Sequence, residues 1–472
     1  MNDSLLRYQV KQSKLTIVKQ ISAYEICQKL MSYDGNLKDD FYTAFNFIDD
    51  GVRQRFSAYG RLAEITVHLS QDKIIFSFEK DERSIITDVQ EFNSDTTPYS
   101  LVFSHLNGFT KKVRNYLLEH MDLPDNHNDV VFFGGWKAVT RRNGIVELAK
   151  FTLPLITVKQ QNNNVILTQF LKNWSEEISI SRLLEENEKI PILDSLVVLS
   201  ASYASNRQEY EEQLSKVVLD LKSLNVSKVV VSKKKDILFK TAPNPLAFAA
   251  KLASRHGQVY DYIFHWKNEK YWVGVSPEIL LTKEKSYIST KPLAGTIRLD
   301  QSSELNIASD ILKNDKKESK EHMLASNKLE EELQEVCIPG TVKCTSGKDP
   351  FGVGYAVHLR SVISGEVEDN VSSFDILAKI YPPATIWGIP EDWSGTIIKN
   401  FEKFDRGYFT GGLGYFTLND NSNFSLVIRN ASLNDCLLEV YAGSGIIDQS
   451  NPEKEWRETE TKMTPILSVL ED

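Results

Sequence analysis

The 472-residue sequence has few cysteines and no long apolar runs. Its four cysteines show no metal-ligand spacing, so neither a zinc site nor a disulfide framework is predicted. No window of about eighteen apolar residues occurs, and the N-terminal segment has no uninterrupted apolar core behind a basic start. We therefore expect reduced thiols, no membrane span and a cytoplasmic location.

Positive charge is also scarce relative to negative charge. The chain has 55 Lys and Arg residues against 64 Asp and Glu residues, which gives a formal net charge of −9. Nucleic acids and anionic membranes bind clustered positive charge, and the basic run at 233–235 is too short to provide it. We therefore expect neither nucleic acid nor membrane as the main partner.

The first part of the chain is dominated by strand signals. Short alternating apolar runs, separated by turn residues, predict antiparallel sheet with some helices. The clearest predicted strands there are 74–78, 130–133 and 164–167. Pro154 predicts a strand end or an edge strand at 151–154, because proline cannot donate to a ladder. A chain this long exceeds the usual size of a single hydrophobic core, so two lobes or one large composite domain are expected.

Helical signals become clearer after about residue 200. Apolar residues recur with a helical period over 206–224 and 245–253, and a long polar helix is predicted over 303–336. The strands predicted in this part are 228–232, 262–264 and 272–275. This change in the density of signals near residue 200 predicts a division of the chain into portions at 1–200 and 201–472.

Two acidic pairs are the first candidates for chemistry. Glu455, Glu458 and Lys462 are spaced i, i+3 and i+7, so a helix would place them on one face. If that face is exposed, it carries only an ordinary Glu458–Lys462 pair of little energetic value. A second pair, Glu318 and Glu321, is spaced i, i+3 on the polar helix. Two helices that each offer two carboxylates suit an oxygen-ligated Mg²⁺.

Further candidates lie on the predicted strands, and each has an ordinary structural alternative. Lys228 begins a valine-rich strand, where a lysine either reaches water or has a buried role. Glu278 follows Pro277 at a strand end, which is often a surface position. The segment 291–296 predicts a turn whose glycine could let a ligand approach, or an ordinary hairpin. His358 lies on an apolar strand, where a hydrogen-bonded core histidine is the more common outcome.

Eight short motifs, taken in order, carry a family resemblance. They are SPE ending at Glu278, PLAGT at 292–296, EH at 321–322, HLRS at 358–361, DRGYFTGGLGY at 405–415, IRNA at 428–431, AGSGI at 442–446 and EWRETETK at 455–462. This series resembles the chorismate-utilising enzymes, which include isochorismate, salicylate, anthranilate and aminodeoxychorismate synthases. The resemblance implies an α+β fold, with large antiparallel sheets packed face to face, helices outside and the site in the cleft between the sheets.

Single positions separate the members of that family. Aminodeoxychorismate synthases carry a lysine where this chain has Ala294, and anthranilate synthases usually carry glutamine where it has Lys228. A lysine at the latter position is typical of the water-using members. The resemblance implies that Lys228 is the general base, because a partly desolvated lysine can accept a proton from water near neutral pH. Glu278 is then the general acid, which protonates the C4 hydroxyl as it leaves while water attacks C2.

The resemblance also implies the roles of the other site residues. Mg²⁺ would hold the ring carboxylate of chorismate, with Glu321 and Glu458 as direct ligands and Glu318 and Glu455 reached through water. Lys462 and the backbone of two glycines would complete that anion site. The residues expected to bind the substrate are Gly295, Thr296, His358, Thr385, Arg429, Gly443, Gly445 and Lys462.

The segment 381–390 bears on the product. It reads YPPATIWGIP, which resembles the FPxxTxxGxP of enzymes that also expel pyruvate, with Thr385 at the threonine position. Isochorismate synthases typically read HPTPAxxG there. Ile386, Trp387, Glu391 and Phe409 depart from the residues common in salicylate synthases.

We therefore predict a Mg²⁺-dependent salicylate synthase that serves a siderophore or a related aryl-capped product. The alternatives are an isochorismate synthase, an ammonia-using member or a non-catalytic chorismate binder. An ammonia-using member would need a partner, because the chain contains no glutaminase domain. Family members of this type without a glutaminase are often monomers, so a monomer is expected.

Overall fold

The computed structural model describes residues 8–17, 21–33, 40–49, 51–70, 72–92, 99–140, 144–172, 177–185, 190, 192–299, 305–353 and 355–471. The helices within these ranges are α1 (Ala23–Tyr33), α2 (Tyr99–His120), α3 (Ile180–Glu185), α4 (Arg207–Ser223), α5 (Pro245–His256), α6 (Leu305–Asn314), α7 (Lys316–Gln334), α8 (Ser373–Ile380), α9 (Glu391–Phe401) and α10 (Pro452–Leu467).

The strands fall into an N-terminal and a C-terminal group. Those before residue 200 are β1 (Gln9–Thr16), β2 (Phe41–Asp49), β3 (Val52–Leu69), β4 (Lys73–Lys80), β5 (Arg83–Glu91), β6 (Val131–Ala138), β7 (Val146–Gln161), β8 (Asn164–Leu171) and β9 (Val198–Tyr203). The later strands are β10 (Lys228–Phe239), β11 (Tyr260–Trp266), β12 (Tyr271–Gly274), β13 (Ile279–Glu284), β14 (Tyr287–Lys291), β15 (Leu293–Arg298), β16 (Lys343–Val353), β17 (Ala356–Glu366), β18 (Gly388–Ile389), β19 (Gly407–Thr417), β20 (Ser422–Leu426), β21 (Asn430–Asn434) and β22 (Leu437–Ile446).

Two long strands, β3 and β7, join the sheet into one antiparallel network with two arms. The first half of β3 pairs with β2, and the chain of pairings continues through β11, β12, β21, β22, β10 and β9. The second half of β3 pairs with β4. On the other side, β7 leads through β6, β19, β20, β13 and β14 to β17. We call these series the first arm and the second arm.

An aromatic core lies between the two arms. Phe45 from β2 meets Tyr415 from β19 edge to face, with ring centroids 6.0 Å apart. Trp266 from β11 stacks on Tyr408 from β19 at 5.5 Å. Two further apolar clusters lie on the outer faces: α1, α5 and α10 cover the first arm, and α2, α7 and α8 cover the second, while α9 packs on β10. The predicted α+β fold, with sheets face to face and helices outside, is confirmed.

Most of the predicted elements are present at the expected positions. The helix expected over 206–224 is α4, which begins with a capping box formed by Asn206 and Glu209. Proline at the first position of α5 and its cap Asn244 explain the start of the next helix. The alternating runs at 74–78 and 164–167 form parts of β4 and β8.

Three local predictions were wrong. Pro154 does not end a strand, because β7 continues through it opposite Arg61, where an irregular register in β3 tolerates the missing N–H. The polar helix is divided into α6 and α7, because Asp315 is extended and its carboxylate accepts the first backbone N–H groups of α7. The expected turn at 291–296 instead contains the start of β15, which pairs with β17 and carries a bulge at Gly295.

Strands from both sides of residue 200 pair with one another. β2 pairs with β11, and β6 pairs with β19. The division into portions at 1–200 and 201–472 stays a prediction.

In the part of the chain that the structure describes, no helix is both long and apolar enough to cross a membrane.

Candidate active site

A narrow cavity of about 60 Å³ lies where the two arms meet. Its wall contains ten of the residues predicted from the sequence: Glu278, Gly295, Thr296, Glu321, His358, Thr385, Arg429, Gly443, Gly445 and Lys462. A wider, open cleft of about 910 Å³ lies beside it, and its lining includes Glu318, Glu455 and Glu458. Thr296 lines both spaces, so these residues form one continuous site. Lys228 lines neither space, but its ammonium contacts Glu321 in the wall of the narrow cavity.

Lys228 is fully buried at the start of β10, so the solvated alternative for this residue is wrong. Its ammonium nitrogen lies 3.1 Å from Glu321 Oε1. Gly445 on the neighbouring strand β22 makes room for this pair. A Cβ added there would lie 2.0 Å from Glu321 Oε1 and 2.9 Å from Lys228 Cε. A side chain at position 445 would therefore displace the ion pair.

Glu278 enters the same cavity from the second arm, between β12 and β13. The side chain is buried, and its Oε1 accepts a 2.9 Å hydrogen bond from the Thr385 hydroxyl. Burial raises the pKa of Glu278 to about 7, although the bonds from Thr385 and the Leu293 N–H and the charges of Lys228 and Lys462 oppose that rise. A carboxyl group with this pKa holds its proton to near neutral pH, as a general acid requires.

Arg429 and His358 form a cationic unit on the wall. The Arg429 guanidinium donates to the Val353 carbonyl at 2.9 Å and to His358 Nε2. His358 Nδ1 lies 3.1 Å from the carbonyl oxygen of Gly295. Burial and the Arg429 charge hold the pKa of His358 well below its usual range, so the ring is neutral. The described residues give Arg429 no carboxylate partner, and its charge therefore remains available for an anionic ligand.

Lys462 supplies a second cation to the cavity. Its ammonium lies 2.6 Å from Glu458 Oε1 and donates to the Gly443 carbonyl at 2.9 Å. The i, i+4 pair predicted from the sequence is therefore present, but both side chains are partly buried, and each lines one of the two spaces. The exposed alternative for this helix face is wrong, and Glu455 in particular is only 2% exposed.

The four glutamates Glu318, Glu321, Glu455 and Glu458, which we call the acidic clamp, come together between α7 and α10. Burial and the neighbouring charges shift the pKa values of these glutamates in different directions. Burial and the Glu458 charge raise the pKa of Glu318 and Glu455. Burial acts in the same direction at Glu321, but Lys228, Lys317 and Lys462 outweigh it and hold its pKa below the usual range.

The acidic clamp has the right donors for a metal but is not arranged around one. Carboxylate oxygens suit Mg²⁺, and Glu455 Oε2 is buried without a hydrogen bond from the described residues. Within the described ranges, however, no three His, Cys, Asp or Glu side chains converge closely enough to hold a metal ion. The ammonium of Lys317 lies among them instead, 3.0 Å from Glu318 Oε1 and 3.2 Å from Glu455 Oε1. The donors therefore suit Mg²⁺ in kind, and in this arrangement the Lys317 ammonium lies between them.

Two residues of the site were missed by the sequence interpretation. Lys317 lies i, i+4 before Glu321, so helical spacing could have placed it on the same face. Arg406 lies within the DRGYFTGGLGY motif, to which no role was given. Its guanidinium is fully buried, pairs with Glu402 at 2.6 Å and donates to the Val230 and Ile386 carbonyls. Arg406 thereby ties β10 to the segment that carries Thr385.

We expect Arg406→Met to destabilise the fold by about 3–5 kcal/mol, because it leaves the Glu402 charge buried without its partner. Urea unfolding followed by fluorescence measures the change. The matched control is Arg457→Met, which removes an arginine of the same i, i+4 geometry from an exposed pair with Glu453. That variant should unfold like the parent. Equal stability of both variants would contradict the structural role of Arg406.

Comparisons with known proteins fit this site. A family model described as chorismate binding enzyme matches residues 87–468. The chain belongs to the chorismate binding enzyme family. Anthranilate synthase component 1 of Saccharolobus solfataricus is 30% identical over 268 residues, which are 56% of this chain and 62% of that protein. The match therefore spans about three fifths of the relative's length.

Other members of the chorismate binding enzyme family cover more of the chain. Isochorismate synthase MenF of Haemophilus influenzae is 27% identical over 326 residues, 68% of this chain and 75% of that protein. The solved structure of MenF, the menaquinone-specific isochorismate synthase from Escherichia coli, has a TM-score of 0.69 with 18% identity. It covers 98% of this chain and 95% of its own, and at this identity the likeness concerns the fold.

Proposed function

We propose that this chorismate binding enzyme is a Mg²⁺-dependent salicylate synthase, which converts chorismate through isochorismate to salicylate and pyruvate. One observation carries the proposal. Buried Glu278, whose pKa is raised to about 7, lines the cavity from the second arm, and the buried Lys228 of the first arm lies against the cavity residue Glu321, at 3.1 Å. Arg429 and Lys462 line that cavity as well, and two cations suit a substrate with two carboxylates.

In the first step, these residues exchange a hydroxyl group on the ring. The Lys228 ammonium first loses a proton, and the neutral amine then accepts a proton from water, whose oxygen bonds to C2 while the ring double bonds shift. Glu278 gives its proton to the C4 hydroxyl, which leaves as water. When bound to the acidic clamp, Mg²⁺ would neutralise the ring carboxylate and fix its position. The fixed cations Arg429 and Lys462 would add electrostatic stabilisation in a site largely closed to water.

Thr385 supports the second step, in which pyruvate is expelled. That step can be a pericyclic hydrogen transfer, in which the hydrogen on C2 moves to the methylene carbon of the enolpyruvyl side chain while the C3–O bond breaks. Pyruvate leaves and the ring becomes aromatic, which needs a substrate conformation but no new acid or base. The Thr385 hydroxyl donates to Glu278 Oε1, so it holds the carboxyl beside the reacting ring. Thr385 stands at the threonine position of a segment that resembles FPxxTxxGxP, the motif of enzymes that complete both steps. This resemblance favours a salicylate synthase.

An isochorismate synthase is the second candidate, and Phe409 favours it. Phe409 is buried and stacks on Tyr441, with ring centroids 5.3 Å apart. Many salicylate synthases have tyrosine at this position. Phe409 therefore lacks the hydroxyl that tyrosine would present to the cavity. The sequence similarity to isochorismate synthase MenF of Haemophilus influenzae supports the same alternative. Both candidates share the water-adding step at Lys228.

The products decide between the candidates. Purified protein is incubated with chorismate and Mg²⁺, without any added lyase, and the products are followed by mass spectrometry. We expect salicylate and pyruvate in equal amounts, and no turnover in EDTA until Mg²⁺ is restored. Isochorismate that accumulates without salicylate would support the second candidate instead. A product that forms only when ammonia is added would indicate an aminating enzyme like the anthranilate synthases.

A further inference from the structure

Lys317 places a positive charge inside the acidic clamp. Its ammonium nitrogen lies 3.0 Å from Glu318 Oε1, 3.3 Å from Glu321 Oε2 and 3.2 Å from Glu455 Oε1. These three glutamates come from two different helices, α7 and α10. A single ammonium group therefore bridges the two acidic pairs, whose carboxylates would be the ligands of a bound metal ion.

The charges of the clamp hold Lys317 in this position. Glu318, Glu321 and Glu455 all lie within ion-pair distance of the Lys317 nitrogen, and this surrounding negative charge favours a positively charged group there. The ammonium is therefore the form that occupies the clamp. It does not satisfy the whole donor set, because Glu455 Oε2 remains buried without a hydrogen bond from the described residues. A cation that replaced the ammonium could use this oxygen as well.

The local structure gives Lys317 a way out of the clamp. It lies in the first turn of α7, where its backbone N–H donates to Asp315 Oδ1 at 2.8 Å. The side chain is 18% exposed and lines the open cleft of about 910 Å³. A lysine side chain has a flexible four-carbon stem, so it can turn into the cleft without moving the helix.

We propose that Lys317 is a resident cation of the acidic clamp, and that Mg²⁺ binds by displacing its ammonium into the open cleft. The inference rests on the proposed use of Mg²⁺ at this site. An ammonium and a divalent cation a few ångströms apart repel each other strongly in a partly buried setting, so the clamp holds one or the other. Lys317 thus neutralises the glutamates in the free protein and weakens the binding of the metal.

The test compares Mg²⁺ binding without chorismate. Isothermal titration calorimetry measures the dissociation constant for the parent protein, Lys317→Met and Lys320→Met. Lys320 is the matched control, because it lies on the same helix and pairs with Asp448, outside the clamp. We expect Lys317→Met to bind Mg²⁺ about tenfold more tightly or better, and Lys320→Met to bind it like the parent. Equal or weaker binding by Lys317→Met, or an equal gain in the control, would overturn the inference.

A second measurement uses the parent protein alone, so it still tests the inference if the Lys317→Met variant fails to fold. Amine acetylation with peptide mass spectrometry reports the reactivity of each lysine, with and without Mg²⁺. The expected result is a several-fold rise at Lys317 on addition of Mg²⁺ and no change at Lys320. Unchanged reactivity at Lys317 in a protein that binds Mg²⁺, or no Mg²⁺ binding at all, would refute displacement. Displacement without chorismate turnover would leave the inference standing and refute the proposed function.

Discussion

Replacing Lys228 by glutamine is expected to lower the turnover of chorismate by about 10²–10⁴-fold, the range that general base catalysis contributes. Glutamine can still donate a hydrogen bond towards Glu321, but it cannot accept a proton from water. The rate of chorismate consumption, measured with saturating Mg²⁺, gives the effect. Anthranilate synthases usually carry glutamine at this position. A parallel reaction with added ammonia therefore tests whether the Lys228→Gln variant aminates chorismate. Retention of normal hydration by Lys228→Gln would refute the assignment of the base.

The matched control for this variant is Lys233→Gln on the same strand. Lys233 is also buried and also paired, with Glu460, and its ammonium lies 3.3 Å from the centroid of the Trp456 ring. Alternation along β10 directs it to the opposite face from Lys228. The control should therefore lose stability, because a buried pair and a cation–π contact are removed. It should retain most of its turnover per folded molecule.

Glu278→Gln is expected to reduce turnover by a similar factor of about 10²–10⁴, because an amide cannot donate a proton to the leaving hydroxyl. Binding of chorismate should persist, since Arg429 and Lys462 are unchanged. Turnover is measured by product formation and binding by equilibrium titration with chorismate. Loss of binding together with turnover would assign Glu278 to substrate binding instead of proton transfer.

The pH dependence gives a second readout for Glu278. Its pKa is raised to about 7 by burial, so the general acid carries its proton below pH 7 and loses it above. Turnover in the parent protein should therefore fall as the pH rises through about 7. The free energy of unfolding should also decrease as the pH rises. The folded-state pKa lies above the ordinary glutamate value of 4.5, so the stabilisation is complete below pH 4.5 and is lost as the pH rises through about 7.

Glu278→Gln should remove that loss, which is on the order of 3 kcal/mol for a shift of this size. Urea unfolding at several pH values measures it. Glu332→Gln is the matched control, because burial also raises the pKa of Glu332 to about 7, away from the cavity. The control should alter the pH dependence of stability in the same direction and leave turnover unchanged. A fall in turnover for both variants would point to a general structural effect.

Much of the fold was accessible from local patterns. Apolar periodicity predicted α4 and α5, and alternation predicted β4 and β8, because these patterns depend only on neighbouring residues. The wrong predictions have tertiary causes. Pro154 is accommodated by an irregularity in β3, a strand distant in the chain. The bulge at Gly295 depends on pairing with β17 and brings the Thr296 N–H within 2.7 Å of Glu318 Oε2.

The sequence by itself determined the family, the order of the motifs and the residue types available for chemistry, because these are properties of the chain alone. The tertiary structure decided which of these groups are buried and which of them meet. Lys228 could have reached water, and Glu455 could have lain on a solvated helix, but packing between the two arms and α10 buries both. Only the same packing places the Lys317 ammonium among the glutamates of two helices. Burial and charge compensation depend on contacts between distant segments, and local sequence patterns do not encode those contacts.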